Sequence, residues 1–249
     1  MKAYFVGSGS KGNATVFISG DTMILFDAGI SCKRIHECIG AHRKSVADLQ
    51  GIFITHNHTD HIKDLPYICK DNALIYSGEE TIDRVDYNVI EPGVGVEIGP
   101  FTIIPFSSHH DAPNPLNFII LVEGMKIGYV TDTGTIDEMG LALLQSCHYY
   151  VFESNYEPKL LEASSRPAWL KQRIRSDWGH LSNLQCGRYL KKLIDKNTKT
   201  IFLAHLSEEC NTPEHAYSSA KKHVAKSNNP DVEIICLKQY EPVEADLSL

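Results

Sequence analysis

The sequence predicts an α/β fold in which two sheets are sandwiched between helices. Short β-rich runs crowd the first half of the chain, and strands alternate with helical periods through the second. Chemistry-bearing residues stand near both ends of the 249 residues. This favours one domain, residues 1–249, folded over one cleft.

Ala3–Val6 and Ala14–Ser19 are β-rich and flank a turn cluster, Gly7–Asn13. Met23–Asp27 is a short apolar run ending in Asp27-Ala28-Gly29. Ile35, Cys38, Ile39 and His42 fall at helical spacing and predict a helix over Lys33–His42. Gly51–Thr55 is a buried strand that delivers the chain into a histidine cluster. Phe101–Phe106, Asn117–Glu123 and Lys126–Thr131 read as strands, the last two joined through Gly124. Glu79-Glu80 has the look of a solvated helix start.

A helix over Ile136–Ser146 then leads to the strand Tyr149–Glu153. Ser182-Asn183 can cap a helix running to about Asp195, ahead of the strand Thr200–Ala204. Thr212 offers an N-cap, with Pro213 at the first helical position, to a helix ending near Lys226. Val232–Leu237 is the last strand expected. The residues from Glu241 onward are acidic and read as a mobile tail.

A net charge of -7 and 43% hydrophobic residues fit a globular protein with a substantial core. They argue against a protein that coats nucleic acid through overall charge, and leave room for a local basic groove. The seven cysteines are odd in number, widely spaced and without a CxxC, as expected of reduced thiols in a cytosolic protein. The first residues are soon broken by Gly and Ser, and no apolar run approaches a membrane span. The expected location is the cytoplasm, with no membrane partner.

The strongest chemical signal is His56-x-His58-x-Asp60-His61, four potential ligands within six residues after a strand. In extended backbone, positions i and i+2 point the same way, so His56 and His58 can share one metal. Asp60 and His61 lie a turn further on and can face a second. Further donors stand at predicted strand ends and in loops: His109-His110-Asp111, Asp132, His180 and His205. All are N and O donors. That set suits Zn²⁺, and also Mn²⁺ or Fe. His36, His42, His148, His215 and His223 fall on predicted helices or a strand start and read as surface or packing residues.

The order Asp27, His56-x-His58-x-Asp60-His61, His110, Asp132, His205 resembles the motif series of the metallo-β-lactamase superfamily. It looks closest to the branch that includes tRNase Z-like phosphodiesterases. Ser8–Asn13, Asp27–Ser31, Ser108–Pro115, Glu153-Ser154-Asn155, Trp169–Ile174, Gly179–Asn183 and Ala204–Pro213 are similar to the YycJ/VicX (WalJ) subfamily. The resemblance covers nearly the whole chain and implies a four-layer αββα sandwich.

It also implies two divalent metal ions. His56, His58 and His110 would hold one; Asp60, His61 and His205 would hold the other; Asp132 would bridge them. His109 adjoins His110, and the resemblance favours His110 because Asp111-Ala112 follow it. Asp27 would support a ligand from behind through hydrogen bonds. Glu153 and His180 occupy the places of a Glu–His proton relay. The sequence departs from the pattern at Asn117, where Gly is common, and at Tyr156, where His is common.

The activity implied is hydrolysis of a phosphodiester by a hydroxide shared between the metals, in a nuclease acting on DNA from the 5′ end. The run Arg166–Arg175 leads into His180, and its Lys171, Arg173 and Arg175 are candidate phosphate contacts, with Trp169 stacking beside them. The same residues could equally form a solvated amphipathic helix with Trp169 in the core. Ser8–Asn13 lacks the Lys-Ser/Thr of a P-loop and reads as a tight turn bringing Asn13 near the cleft. Two other functions fit parts of the sequence. One is a small-molecule hydrolase (a lactonase, thioesterase or cyclic-nucleotide phosphodiesterase), which the acidic charge favours. The other is a regulatory binding protein, against which the complete ligand set speaks.

Overall fold

β1 (Lys2–Gly7) and β2 (Ala14–Ser19) form an antiparallel hairpin, and β3 (Thr22–Phe26) returns along β2. The computed structural model describes residues 1–40, 43–68, 73–83 and 85–249. The expected helix over Lys33–His42 is present as α1 (Cys32–Ile39), capped by the Ser31 side chain; His42 lies outside the described residues, as does Cys69. β4 (Leu49–Phe53) runs parallel to β3, two residues earlier than expected, because Ile54 and Thr55 already turn into the histidine loop. After the short helices α2 (Thr59–Ile62) and α3 (Leu65–Ile68), β5 (Leu74–Ser77) and the two-residue β6 (Asn88–Val89) extend the sheet outward. Glu79 and Glu80 form a turn, with Glu80 at φ 58°, and not the helix start expected.

The second sheet opens with antiparallel strands: β7 (Val96–Ile98), β8 (Phe101–Ser107), β9 (Leu116–Val122) and β10 (Met125–Val130). It then turns parallel through β11 (Tyr149–Glu153), β12 (Thr200–Ala204) and β13 (Glu233–Cys236). Parallel neighbours need long crossovers, which helices supply. α4 (Glu138–Leu144) joins β10 to β11. α5 (Pro158–Ala163), α6 (Ala168–Arg175) and α7 (Asn183–Leu193) lie between β11 and β12, and α8 (Pro213–Val224) joins β12 to β13. The caps read from the sequence are in place: Ser182 closes a capping box with Gln185, and Thr212 accepts from the His215 amide.

Among the described residues each sheet has seven strands; with β14 (Val243–Asp246) the orders are β14-β1-β2-β3-β4-β5-β6 and β13-β12-β11-β10-β9-β8-β7. The first order corrects the expected mobile tail. Val243–Asp246 form β14, antiparallel to β1, and Leu247 is buried. Val243 and Ala245 pack on the core while Glu244 and Asp246 both pair with Lys2, so a period of two is hidden inside an acidic segment.

The faces of the two sheets meet over Phe5, Phe17, Phe26 and Phe53 from one and Phe118, Tyr129 and Phe202 from the other. The Phe26 and Phe53 rings stack at 5.2 Å. The outer face of the first sheet buries Ile35 and Ile39 of α1; that of the second buries Leu144, Leu190 and Ala216 from α4, α7 and α8. The result is a helix–sheet–sheet–helix sandwich, the four-layer architecture expected. The described cysteines are free thiols. No helix among the described residues is long and apolar enough to cross a membrane.

Candidate metal centre

The expected donors converge because each follows the end of a strand or lies on a loop beside one. Asp27 follows β3, His56 follows β4, His110 follows β8, Asp132 follows β10, Glu153 closes β11 and His205 follows β12. In α/β sheets the carboxyl ends of strands are where clefts open. Asp27, Asp132 and His205 take left-handed backbone, with φ of 59°, 49° and 52°. This turns the chain sharply out of each strand and into the cleft.

The histidine loop is held from behind. Helix α2 carries Asp60 and His61 against the β1–β2 turn, where the Asn13 amide donates to Asp60 O, and against the end of β3, where the Ala28 amide donates to His61 O. Gly29 permits this contact, since a Cβ there would lie 1.6 Å from Asp60 O. Asp27, fully buried, accepts from the Thr55 amide, the Thr55 hydroxyl and His61 Nδ1–H at 2.9, 2.9 and 2.8 Å. Asn13 reaches His61 Nε2 at 3.0 Å, so the expected approach of Asn13 to the cleft is present.

The donor atoms fall into overlapping groups within 4.8 Å: His56, His58 and His110; Asp60, His61 and His205; His56, His61 and Asp132; and Asp132, Glu153, His180 and His205. His110 joins this cluster, its Nδ1–H donating to Gly179 O at 2.9 Å and its Nε2 lying 3.2 Å from His58 Nδ1. His109 turns the other way, toward Trp178. Asp132 sits between the first two groups, 3.1 Å from His61 Nε2 and 3.8 Å from His110 Nε2.

Glu153 is fully buried and accepts four hydrogen bonds. Its Oε2 takes the Thr133 and Leu181 amides, and its Oε1 takes Nδ1–H of both His180 and His205, at 2.8 and 3.0 Å. One carboxylate thus fixes the orientation of two imidazoles and leaves the Nε2 of each uncommitted.

Burial opposes charge throughout the cluster, and the carboxylates decide which groups carry it. Burial, with His61 next to it, pushes His56 well below the ordinary imidazole value, and burial takes His110 down to about 4. Burial acts the same way on His61 and His205, yet Asp27 and Asp132 hold His61 well above that value. Asp132, Asp60 and Glu153 raise His205 to about 10. Burial raises Asp132, but His205 and His61 hold it well below the usual carboxylate range.

These residues fit divalent cations. His61 directs Nδ1 to Asp27, and a cation can take the place of its second ring proton at Nε2, which faces Asp132 at 3.1 Å. His56 Nε2 and His205 Nε2 are buried without a hydrogen-bond partner among the described residues. Such orphaned ring nitrogens in a carboxylate cluster are what an absent cation leaves behind.

The cleft above the cluster has a volume of about 190 Å³ and is polar, with Ile174 its one apolar wall among the described residues. Arg166 and Arg173 line it. Arg173 makes a two-point ion pair with Asp111, its Nη2 to Oδ1 contact at 2.8 Å, and Arg166 pairs with Glu209 at 3.0 Å. The other expected phosphate contacts do not reach the cleft. Lys171 donates to the Glu162 carbonyl and Arg175 pairs with the Glu162 carboxylate, both toward α5. Helix α6 does not bury its tryptophan; Trp169 is 67% exposed.

Thr55 and Thr133 act through backbone or hydroxyl groups with no motif of their own, and the Gly179–Asn183 motif does not foretell that the Gly179 carbonyl receives His110. Arg166 had a signal, since it opens the basic run. Tyr156 lies in a small apolar cluster with Leu161, Ile174 and Cys210. Asn117 accepts from the Thr131 amide and so braces the strand end before Asp132.

A domain model described as a beta-lactamase superfamily domain matches residues 22–205. Exodeoxyribonuclease WalJ of Streptococcus pneumoniae is 29% identical over 241 residues, covering 92% of this chain and 90% of that protein. Among solved structures, the metallo-beta-lactamase fold protein YhfI from Bacillus subtilis superposes with a TM-score of 0.73 at 17% identity, over 98% of this chain and 99% of its own. The short form of human tRNase Z superposes with a TM-score of 0.65 at 16% identity, over 98% of each chain.

Proposed function

Because the chain belongs to the beta-lactamase superfamily, we propose that it is a dinuclear metal-dependent phosphodiesterase, a nuclease acting on DNA. The observation that carries this is the pair of donor groups, His56-His58-His110 and Asp60-His61-His205, that meet at Asp132 under a polar cleft rimmed by two arginines. Zn²⁺ suits the nitrogen and oxygen donors best, with Mn²⁺ or Fe as alternatives. The similarity to a protein named an exodeoxyribonuclease supports a DNA substrate, and the free thiols suit a reducing cytoplasm.

Divalent cations bound there would supply Lewis acidity toward a phosphoryl oxygen and lower the pKa of a bound water to ~7. The protein's own groups do the rest. Asp27 and Thr55 set the tautomer and direction of His61. Glu153 holds His180 by Nδ1, leaving Nε2 to protonate the leaving oxygen. Arg166 and Arg173 meet the flanking phosphates. Their present partners are carboxylates in partly exposed ion pairs, which contribute only ~0–1 kcal/mol each, so a bidentate phosphate can displace them.

The direct test is metal-dependent digestion of 5′-phosphorylated DNA and RNA beside a panel of aryl esters and lactones. Turnover of an ester or lactone without any cutting of nucleic acid would replace this function with a small-molecule hydrolase. Neutralising Arg166 and Arg173 together is expected to weaken DNA binding and lower the slope of log K against log salt by ~0.9 for each phosphate no longer neutralised. Hydrolysis of a nitrophenyl phosphodiester should be nearly unchanged, and Lys171 with Arg175 should matter less than the first pair. Equal salt slopes for both double variants would remove the arginines from substrate binding. Asp27→Asn keeps the shape but exchanges an acceptor for a donor facing His61. It should cost about 10–100-fold in metal affinity, measured by competition with a chelating dye.

A further inference from the structure

Beside the metal cluster, on the far side of His109, lies a second cavity of about 500 Å³. Its apolar walls include Ile90, Pro92 and Pro115, and Trp178 also lines it. Trp178 is 57% exposed, an unusual position for the largest apolar side chain. The His109 ring lies 5.6 Å from it, tilted by 44°. The Nδ1 of His109 is buried and has no hydrogen-bond partner among the described residues.

The loop that presents Trp178 is pinned by backbone hydrogen bonds and belongs to the site. The Gly179 amide donates to Ser176 O and the His180 amide to Ile174 O, at 2.9 and 3.0 Å. A Cβ on Gly179 would lie 2.3 Å from Arg173 O, so the turn tolerates no bulk there. The Gly179 carbonyl, one residue past Trp178, receives the His110 Nδ1–H, and His180 follows directly. The indole is therefore anchored within two residues of both the metal cluster and the relay.

We propose that this cavity is a nucleobase subsite, in which a base of the bound strand stacks on Trp178 beside the His109 ring. This rests on the nuclease function proposed above. Charge selects the base over the phosphate: Glu79 and Glu91 line the cavity, and no Lys or Arg is among the described residues that do. The two arginines stand on the other cleft, with Asp132 and His180. The molecule thus offers separate surfaces for the two ends of a nucleotide, an anionic end at the arginines and a flat, hydrogen-bonding end at the indole. Stacking on an aromatic ring tolerates any base, so the subsite would favour nucleic acid over simple diesters without reading sequence.

The chain has two tryptophans, Trp169 and Trp178, which makes the test spectroscopic. In a Trp169→Phe background, Trp178 is the sole indole reporter. Titration with a single-stranded oligodeoxynucleotide should quench its fluorescence, while an abasic strand of equal length and charge should bind with little quenching. Binding of each strand is followed separately by anisotropy of a 3′ dye. Trp178→Ala should raise KM for DNA by roughly 5- to 100-fold, the range that loss of one stacked base implies. It should leave kcat and the turnover of a nitrophenyl phosphodiester unchanged, and Trp178→Phe should recover most of the loss. Equal quenching by both strands, or binding and cutting of DNA with no change at Trp178, would overturn the subsite and leave the nuclease function standing. Failure of both strands to bind would overturn both.

Discussion

Replacing Asp132 by alanine is expected to strip the protein of both metals and to lower phosphodiester hydrolysis by on the order of 10⁴-fold or more, the scale of losing an indispensable member of a catalytic unit. The reason is position. One carboxylate oxygen faces His61 Nε2 of one donor group at 3.1 Å, and the other lies 3.8 Å from His110 Nε2 of the other group. No other side chain among the described residues is placed to serve both donor groups in this way, so its loss weakens each site and the spacing between them. Single changes at His58 or His110, each belonging to one group, should cost less. His109→Ala should retain both metals. Metal content after gel filtration, beside hydrolysis of a nitrophenyl phosphodiester, checks all four variants. An Asp132→Ala protein that still carries two metals would refute the bridging role, and His109→Ala losing a metal would refute the choice of His110.

The second large effect is expected at His180. His180→Ala should keep both metals yet lower kcat on DNA by ~10²–10⁴-fold, the usual loss for a general acid. His180 shares one oxygen of Glu153 with His205, so the same carboxylate that orients a candidate ligand also orients the candidate proton donor. The loss should shrink for a nitrophenyl diester, whose leaving group needs little protonation. His180 also lies within the Asp132–Glu153–His205 group, so the opposing outcome is concrete. If the variant loses a metal and falls equally on both substrates, His180 is a ligand and not an acid.

The parts of this molecule that were legible in the sequence are those whose signal is local. Ala14–Ser19, Tyr149–Glu153 and Thr200–Ala204 are strands with the bounds expected, because each is an unbroken β-rich run closed by turn residues. His56-x-His58-x-Asp60-His61 is readable because its donors are sequence neighbours. β6 and β7 were not readable: at two and three residues they owe their pairing to the strands beside them. The Glu241–Leu249 segment misled through composition, its acidic residues outweighing the alternation that builds β14. Within the site, the fully buried Glu153 could be named, but not that one of its oxygens serves two histidines. That contact depends on β11, β12 and the Gly179 turn arriving together, which no single segment encodes. The basic run had one sign of charge and two destinations, Arg166 and Arg173 facing the cleft and Lys171 and Arg175 facing Glu162.

The left-handed backbone at Asp27, Asp132 and His205 sets thermal endurance against activity in this protein. Each of these non-glycine residues holds a conformation costing about 1–2 kcal/mol, which glycine at any of the three would relieve. Asp27 and Asp132 add the burial of a carboxylate, which asparagine would lessen. A library of this chain selected only for survival at high temperature should therefore accumulate changes at these three positions, and its hardiest members should be inert. Improving the enzyme's heat tolerance without losing it means directing variation to the outer helices and away from the ends of β3, β10 and β12.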